Sequence, residues 1–140
     1  MWRNANYRLN YDATLTPTIL LHLGAGYQEA SIGQVNDVKA NVKKLMSACE
    51  VVYGDLEKVE VMGADSKRGA FMSSMLLYCN DPFKKTEPHE IEAFGPVSTV
   101  MPYKSSDEAA ELAKMGRGSL VGSVFTADDK FAKEVVLGSA

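Results

Sequence analysis

The stretch His89-Glu90-Ile91-Glu92-Ala93-Phe94-Gly95-Pro96-Val97-Ser98-Thr99-Val100-Met101-Pro102-Tyr103 decides how the rest of the chain is read. An acidic and aromatic loop passes through a Gly-Pro turn straight into an apolar run, residues 97–103, of strand composition. Toward the C-terminus, Ser106 stands where it can cap a helix that carries Ala109, Ala110, Leu112 and Ala113 inside, with Gly116 and Gly118 ending it. Residues 120–125 then read as a second strand and residues 127–137 as a second helix. Strand, helix, strand, helix is the order of a mainly parallel sheet flanked by helices. Right-handed crossovers set the strands at 97–103 and 120–125 side by side or as near neighbours.

Toward the N-terminus the pattern holds as far as Ser31. That serine is a good N-cap, and Val35, Val38, Val42, Leu45 and Met46 recur at three- and four-residue steps with Asn36, Asp37, Lys39, Lys43 and Lys44 outside the stripe. The spacing predicts an amphipathic helix over residues 31–47, whose lysine-rich end complements the negative pole of its dipole. Val51-Val52-Tyr53 reads as a short buried strand closed by Gly54-Asp55. Residues 59–62 alternate before Gly63, and residues 70–78 make a further strand candidate. Upstream of Ser31 the residues 18–23 are a strand candidate, and Gly24-Ala25-Gly26 is read as a turn. A phosphate-binding G-x-G-x-x-G needs a third glycine where the chain has Glu29. The division is therefore an N-terminal segment of unclear role, residues 1–30, and an α/β unit, residues 31–140.

Composition narrows the function classes. The chain has 140 residues, 46% of them hydrophobic and 24% charged, which suits one core. With a formal net charge of -3 and basic residues scattered among acids, no field for a phosphate backbone exists, and nucleic acid is not expected as a partner. The longest apolar run, Ile19-Leu20-Leu21-His22-Leu23, falls far short of the roughly 20 residues that cross a bilayer, so no membrane span is expected. The N-terminus also makes a poor signal peptide, and the expected location is the cytoplasm.

The candidate chemical groups are few. Cys49 and Cys79 form no C-x-x-C pair, and each reads as a packed, inert thiol in a reducing compartment. Neither His22 nor His89 has the spacing of a metal set, so no metal site is expected. Glu57, Glu60 and Asp65 with Lys58, Lys67 and Arg68 read as a solvated mixed-charge connection. Glu92 and Phe94 remain: a carboxylate that can accept a sugar hydroxyl and a ring that can pack against a flat heterocycle, two residues apart before a Gly-Pro turn.

The string Glu92-Ala93-Phe94-Gly95-Pro96-Val97 resembles the Glu-x-Phe-Gly-Pro signature of the aldehyde dehydrogenase superfamily. Gln34-Val35-Asn36-Asp37-Val38 is similar to the glutamine-bearing helix that follows the family's nucleophile region. Gly69-Ala70-Phe71 with Leu76-Leu77 is similar to the strand leading to the cofactor loop, and Gly122-Ser123-Val124-Phe125-Thr126 to a later strand. Leu76-Leu77-Tyr78-Cys79-Asn80-Asp81-Pro82 and the 89–103 stretch are most similar to the dehydrogenase half of bifunctional enzymes of phenylacetic acid degradation, which add a ring-opening hydrolase domain. The resemblance implies a three-layer α/β sandwich fragment, the C-terminal part of a catalytic domain that oxidises an aldehyde to an acid with NAD or NADP. Glu92 would contact the nicotinamide ribose and Phe94 would lie beside the nicotinamide. It also implies a nucleophilic cysteine, a general-base glutamate and a cofactor domain, none of which has a matching position in these 140 residues, so no catalytic residue is assigned and the chain is expected to be inactive alone. The alternative is a non-catalytic scaffold that self-associates as a homo-oligomer through an exposed sheet edge.

Overall fold

The structure is a computed structural model that describes residues 27–28, 31–117 and 122–139. The expected strand at 18–23, the turn at Gly24-Ala25-Gly26, His22, Gly118 and the first two residues of the 120–125 strand lie outside the described residues. The elements run β1 (Tyr27–Gln28), α1 (Ile32–Leu45), β2 (Glu50–Tyr53), β3 (Phe71–Met72), β4 (Met75–Tyr78), α2 (Glu87–Glu90), β5 (Val97–Val100), α3 (Ser106–Met115) and α4 (Asp129–Gly138).

Helix α1 forms for the reasons its sequence gives. The Ser31 hydroxyl accepts from the Gln34 amide at 3.1 Å, and Val35, Val38, Val42 and Leu45 are buried along one stripe. Helix α3 begins one residue earlier in its cap than the sequence suggests: Ser105, not Ser106, is extended and accepts from the Glu108 amide at 3.2 Å. Ser106 is freed to donate from its hydroxyl to Glu134 Oε2 on α4 at 3.2 Å. Asp128 caps α4 by accepting from the amides of Lys130 and Phe131. The two C-terminal helices touch where Ala110 meets Gly138, so closely that a Cβ on Gly138 would lie 3.0 Å from the Ala110 methyl.

The main sheet has the order β2-β4-β5. β4 and β5 are parallel, with Leu77 opposite Thr99, whereas β2 runs antiparallel to β4, with Glu50 opposite Tyr78 and Val51 opposite Leu77. A register shift follows between Val51 and Tyr53. β1 and β3 form a separate antiparallel pair. On one face of the main sheet Met75, Leu77, Cys79, Val97, Thr99 and Met101 are all buried, and together with α1 and Leu112 of α3 their apolar members make the core.

Four readings of the sequence are corrected. β2 is not buried: Glu50, Val51, Val52 and Tyr53 are all exposed, because this strand lies at the edge of the described sheet with only β4 beside it. Residues 59–62 form no strand, since two alternating apolar residues there find no neighbour to pair with. The candidate at 70–78 splits into β3 and β4 at Ser73-Ser74, and the two halves pair with different strands. Residues 122–125 are not a strand but an exposed segment without regular structure, with Phe125 79% exposed, so among the described residues no strand lies beside β5 on its outer edge.

Candidate functional site

The 91–96 loop is set by its two ends. At its start, α2 is a single turn that follows Pro82, and His89 Nε2 lies 2.7 Å from the Pro82 carbonyl, which only accepts. That bond puts the ring proton on Nε2 and leaves Nδ1 buried without a partner among the described residues. At its end, the Val97 amide donates back to Gly95 O at 2.7 Å across Pro96, a tight turn of the kind that starts strands, and the Met75 amide donates to Pro96 O at 2.8 Å. The loop thus enters β5 already bonded to β4.

Between these ends the side chains alternate. Ala93 is buried and anchors the loop in the core, while Glu92 and Phe94 on either side are exposed. Phe94 is 57% exposed and sits at φ 51, in the left-handed region that a bulky residue rarely occupies. A large aromatic ring held outside the core on strained backbone is a recurring mark of a binding position rather than of packing. The main chain of Glu92 is fixed from below: Asn41 Nδ2 of α1 donates to Glu92 O at 3.0 Å, and Lys44 Nζ donates to Asn41 Oδ1 at 3.1 Å. Asn41 is the supporting residue that sequence reading misses, because its partner lies 51 positions away.

The other candidates stay apart from this loop. Glu57, Lys58, Glu60, Asp65, Lys67 and Arg68 are exposed, as the sequence suggests, and Glu57 takes up Lys39 at 3.4 Å and Lys43 at 3.7 Å on α1. Such exposed pairs contribute at most about 1 kcal/mol each. Cys49 and Cys79 are both free and buried. Burial, helped by the Cys79 thiol and Glu87 and partly offset by Lys85, pushes the Cys49 thiol up to about 12, so Cys49 is not an activated thiolate near neutral pH.

The segment that holds the loop, its supports and the buried thiols has counterparts among known proteins. Residues 20–138 match the profile of the aldehyde dehydrogenase family. The chain belongs to that family. It is 44% identical over 108 residues to Protein MaoC of Klebsiella aerogenes, covering 76% of this chain and 30% of that one. It is 41% identical over 97 residues to the 3,4-dehydroadipyl-CoA semialdehyde dehydrogenase of Aromatoleum evansii, covering 69% of this chain and 19% of that one. The chain therefore spans less than a third of the length of these relatives.

Among solved aldehyde dehydrogenases, the Staphylococcus aureus betaine aldehyde dehydrogenase in complex with NAD+ superposes with a TM-score of 0.63 at 26% identity, over 77% of this chain and 21% of the other. The Thermus thermophilus 1-pyrroline-5-carboxylate dehydrogenase superposes with a TM-score of 0.66 at 22% identity, over 80% and 20%. The second likeness speaks for the fold alone: this is an α/β piece of the aldehyde dehydrogenase architecture, with its three-stranded sheet and flanking helices.

Proposed function

We propose that the chain forms the nicotinamide-facing part of an NAD(P)-dependent aldehyde dehydrogenase in the cytoplasm, and that these 140 residues do not turn over alone. Phe94 carries this reading: an exposed ring, on left-handed backbone, beside the exposed carboxylate of Glu92. Both features suit a nicotinamide nucleotide, because a carboxylate accepts from ribose hydroxyls and an aromatic face takes a flat ring. NAD(P), when bound, supplies the hydride acceptor. The protein's own part is to hold the loop rigid through Asn41, Ala93 and the β4–β5 bonds, so that ring and carboxylate keep one spacing. The nucleophilic cysteine, the base and most of the cofactor's contacts are assigned to regions of the relatives that this chain does not span. A CoA-linked semialdehyde is the proposed substrate of the whole enzyme, on the strength of the Aromatoleum relative's name.

Calorimetric titration of the chain with NAD and NADP, alongside an aldehyde oxidation assay, tests this. The expected result is weak saturable binding without turnover, and binding about tenfold weaker in Phe94→Gly, since an aromatic stacking contact is worth on the order of 1–3 kcal/mol. Glycine is at ease at φ 51, so this variant keeps its stability within about 1 kcal/mol and separates binding from folding. Equal binding by the variant removes Phe94 from the site, and turnover by the chain alone overturns the assignment of its nucleophile elsewhere.

A second reading rests on β2. Its four residues are exposed, Val52 at 59%, and its outer edge has no strand beside it among the described residues. An uncovered apolar edge invites pairing with another chain. We propose that the chain self-associates through this edge as a homo-oligomer and serves as an α/β scaffold. Sedimentation is then expected to show a dimer or larger species that Val52→Lys converts to monomer; a monomer at all concentrations ends this reading.

A further inference from the structure

Cys49 and Cys79 stand 30 positions apart, one immediately before β2 and the other immediately after β4, yet the sheet register brings them face to face. Glu50 pairs with Tyr78 and Val51 with Leu77, so the register of this antiparallel ladder, continued one step beyond its last pair, sets Cys49 opposite Cys79. The backbone bonds identify the kind of pair. The Cys79 amide donates outward to Val100 O of β5 at 2.9 Å, and the Cys49 amide donates to Leu45 O at the end of α1, also at 2.9 Å. Neither is spent on the other, which makes this a non-hydrogen-bonded pair, the antiparallel site where facing side chains are closest, with Cα atoms about 4.5 Å apart. That separation falls within the range a disulfide spans. Both side chains lie on the core face, and the Cys79 thiol is close enough to act on that of Cys49.

We propose that Cys49 and Cys79 are a redox-responsive dithiol that a small-molecule disulfide converts to an internal cross-strand disulfide, pinning the edge strand β2 to the central strand β4. The two thiols have different roles. Cys49 adjoins the exposed edge strand and is 7% exposed, whereas Cys79 is 0% exposed. Cys49 therefore meets the reagent. Its thiolate, after losing a proton, attacks one sulfur of oxidised glutathione, forming a mixed disulfide and releasing one glutathione thiolate. Cys79, losing its proton, then attacks the Cys49 sulfur and expels the second glutathione. Two protein thiols give up two electrons and two protons, and one glutathione disulfide becomes two thiols.

The raised Cys49 thiol makes the first step slow. At pH 7 to 9 the thiolate fraction climbs about tenfold per pH unit, because the pH stays well below about 12. An ordinary thiol levels off above about pH 9. The pair is therefore quiet under reducing conditions and closes only under sustained oxidation. The closed loop, residues 49–79, contains the irregular 54–70 connection, so the bond restricts that connection.

Oxidised and reduced glutathione at stepped ratios, applied to the native chain and to the chain in urea, test the proposal by intact mass after acid quench and by peptide mapping. The expected product is a monomer lighter by two hydrogens with Cys49 linked to Cys79. Its formation constant should be about 30-fold or more greater in the native chain than in urea, since a bond that fits the fold forms more readily there by the factor with which it stabilises it. In the oxidised chain the thermal midpoint rises by roughly 5–10 °C. Cys79→Ser is expected to stop at a glutathione adduct on Cys49, and Cys49→Ser to leave Cys79 unmodified. Separate glutathione adducts on both cysteines of the native chain, links between chains, or a native-to-urea ratio of one or less overturn the proposal. These outcomes are read on the unaltered chain and hold whatever the folding of the variants.

Discussion

Gly54→Ala is expected to destabilise the fold by about 3 kcal/mol or more. Gly54 follows β2 at φ +95, a backbone state that residues with a side chain rarely take. A Cβ there would collide with the Ser74 carbonyl oxygen and lie 2.7 Å from Met75 Sδ. The sulfur can move, but the carbonyl belongs to the backbone that leads into β4, so relief requires shifting the sheet. Strain of this kind costs on the order of 1–3 kcal/mol for the backbone and a similar amount for the overpacking. The turn has no slack to absorb it: Asp55 next door accepts from the amides of Glu57 and Lys58 at 2.7 and 3.0 Å, bonds that hold its carboxyl below the usual carboxylate range. Gly63→Ala is the matched control, because Gly63 also has positive φ, +72, but nothing within 4 Å of its added Cβ. It should lose only about 1 kcal/mol. Urea unfolding of both variants separates the two terms, and equal losses would show that the contact with Ser74 does not constrain the chain.

What the sequence carried, and what it did not, follows from how far apart the deciding groups lie. Helices α1, α3 and α4 were legible because their signals are local: a cap, a stripe at three- and four-residue steps, and a stop lie within about 15 residues of one another, whereas the single turn α2 has no such signals and was not. Strands β2 to β5 were legible as apolar runs but not as positions in a sheet, and β1 was not legible at all. Val51-Val52-Tyr53 has the same composition in a buried strand as at an edge, and only the absence of a described neighbour on its outer side makes it an edge. Residues 122–125 carry strand-like side chains, and no described strand pairs with them. The candidate loop divides in the same way. Glu92 and Phe94 could be picked out as a string, whereas the Asn41 bond beneath Glu92 and the meeting of Cys49 with Cys79 depend on the register and helix placement of distant segments. Local chemistry announces itself in order of residues; its supports are written in the fold.

Leu77→Ala should cost about 3–4 kcal/mol and lower the thermal midpoint by roughly 10 °C, the second of the large effects. Leu77 is the middle of the sheet in both directions. Its neighbours along β4 on the core face are Met75 and Cys79, and its cross-strand partners are Val51 on β2 and Thr99 on β5. It is 0% exposed, so truncation removes its methyl groups from contact without giving water a path to replace them. The surroundings collapse poorly because the sheet bonds fix the backbone on both sides, with Met75 to Pro96 at 2.8 Å and Cys79 to Val100 at 2.9 Å. A rigid lining is the condition under which a cavity costs most. Leu76 provides the comparison: it points to the opposite face, is only partly buried, and faces Ser98 on β5. Leu76→Ala should therefore lose about half as much. Because Val97 and Thr99 share the core face with Leu77, the larger loss should also loosen the start of β5, and hydrogen exchange at the Val97 amide is expected to rise in Leu77→Ala and to stay slow in Leu76→Ala. If both variants lose the same stability, the core face of the sheet is not where the fold is held, and the rigidity assigned to the Glu92–Phe94 loop loses its foundation.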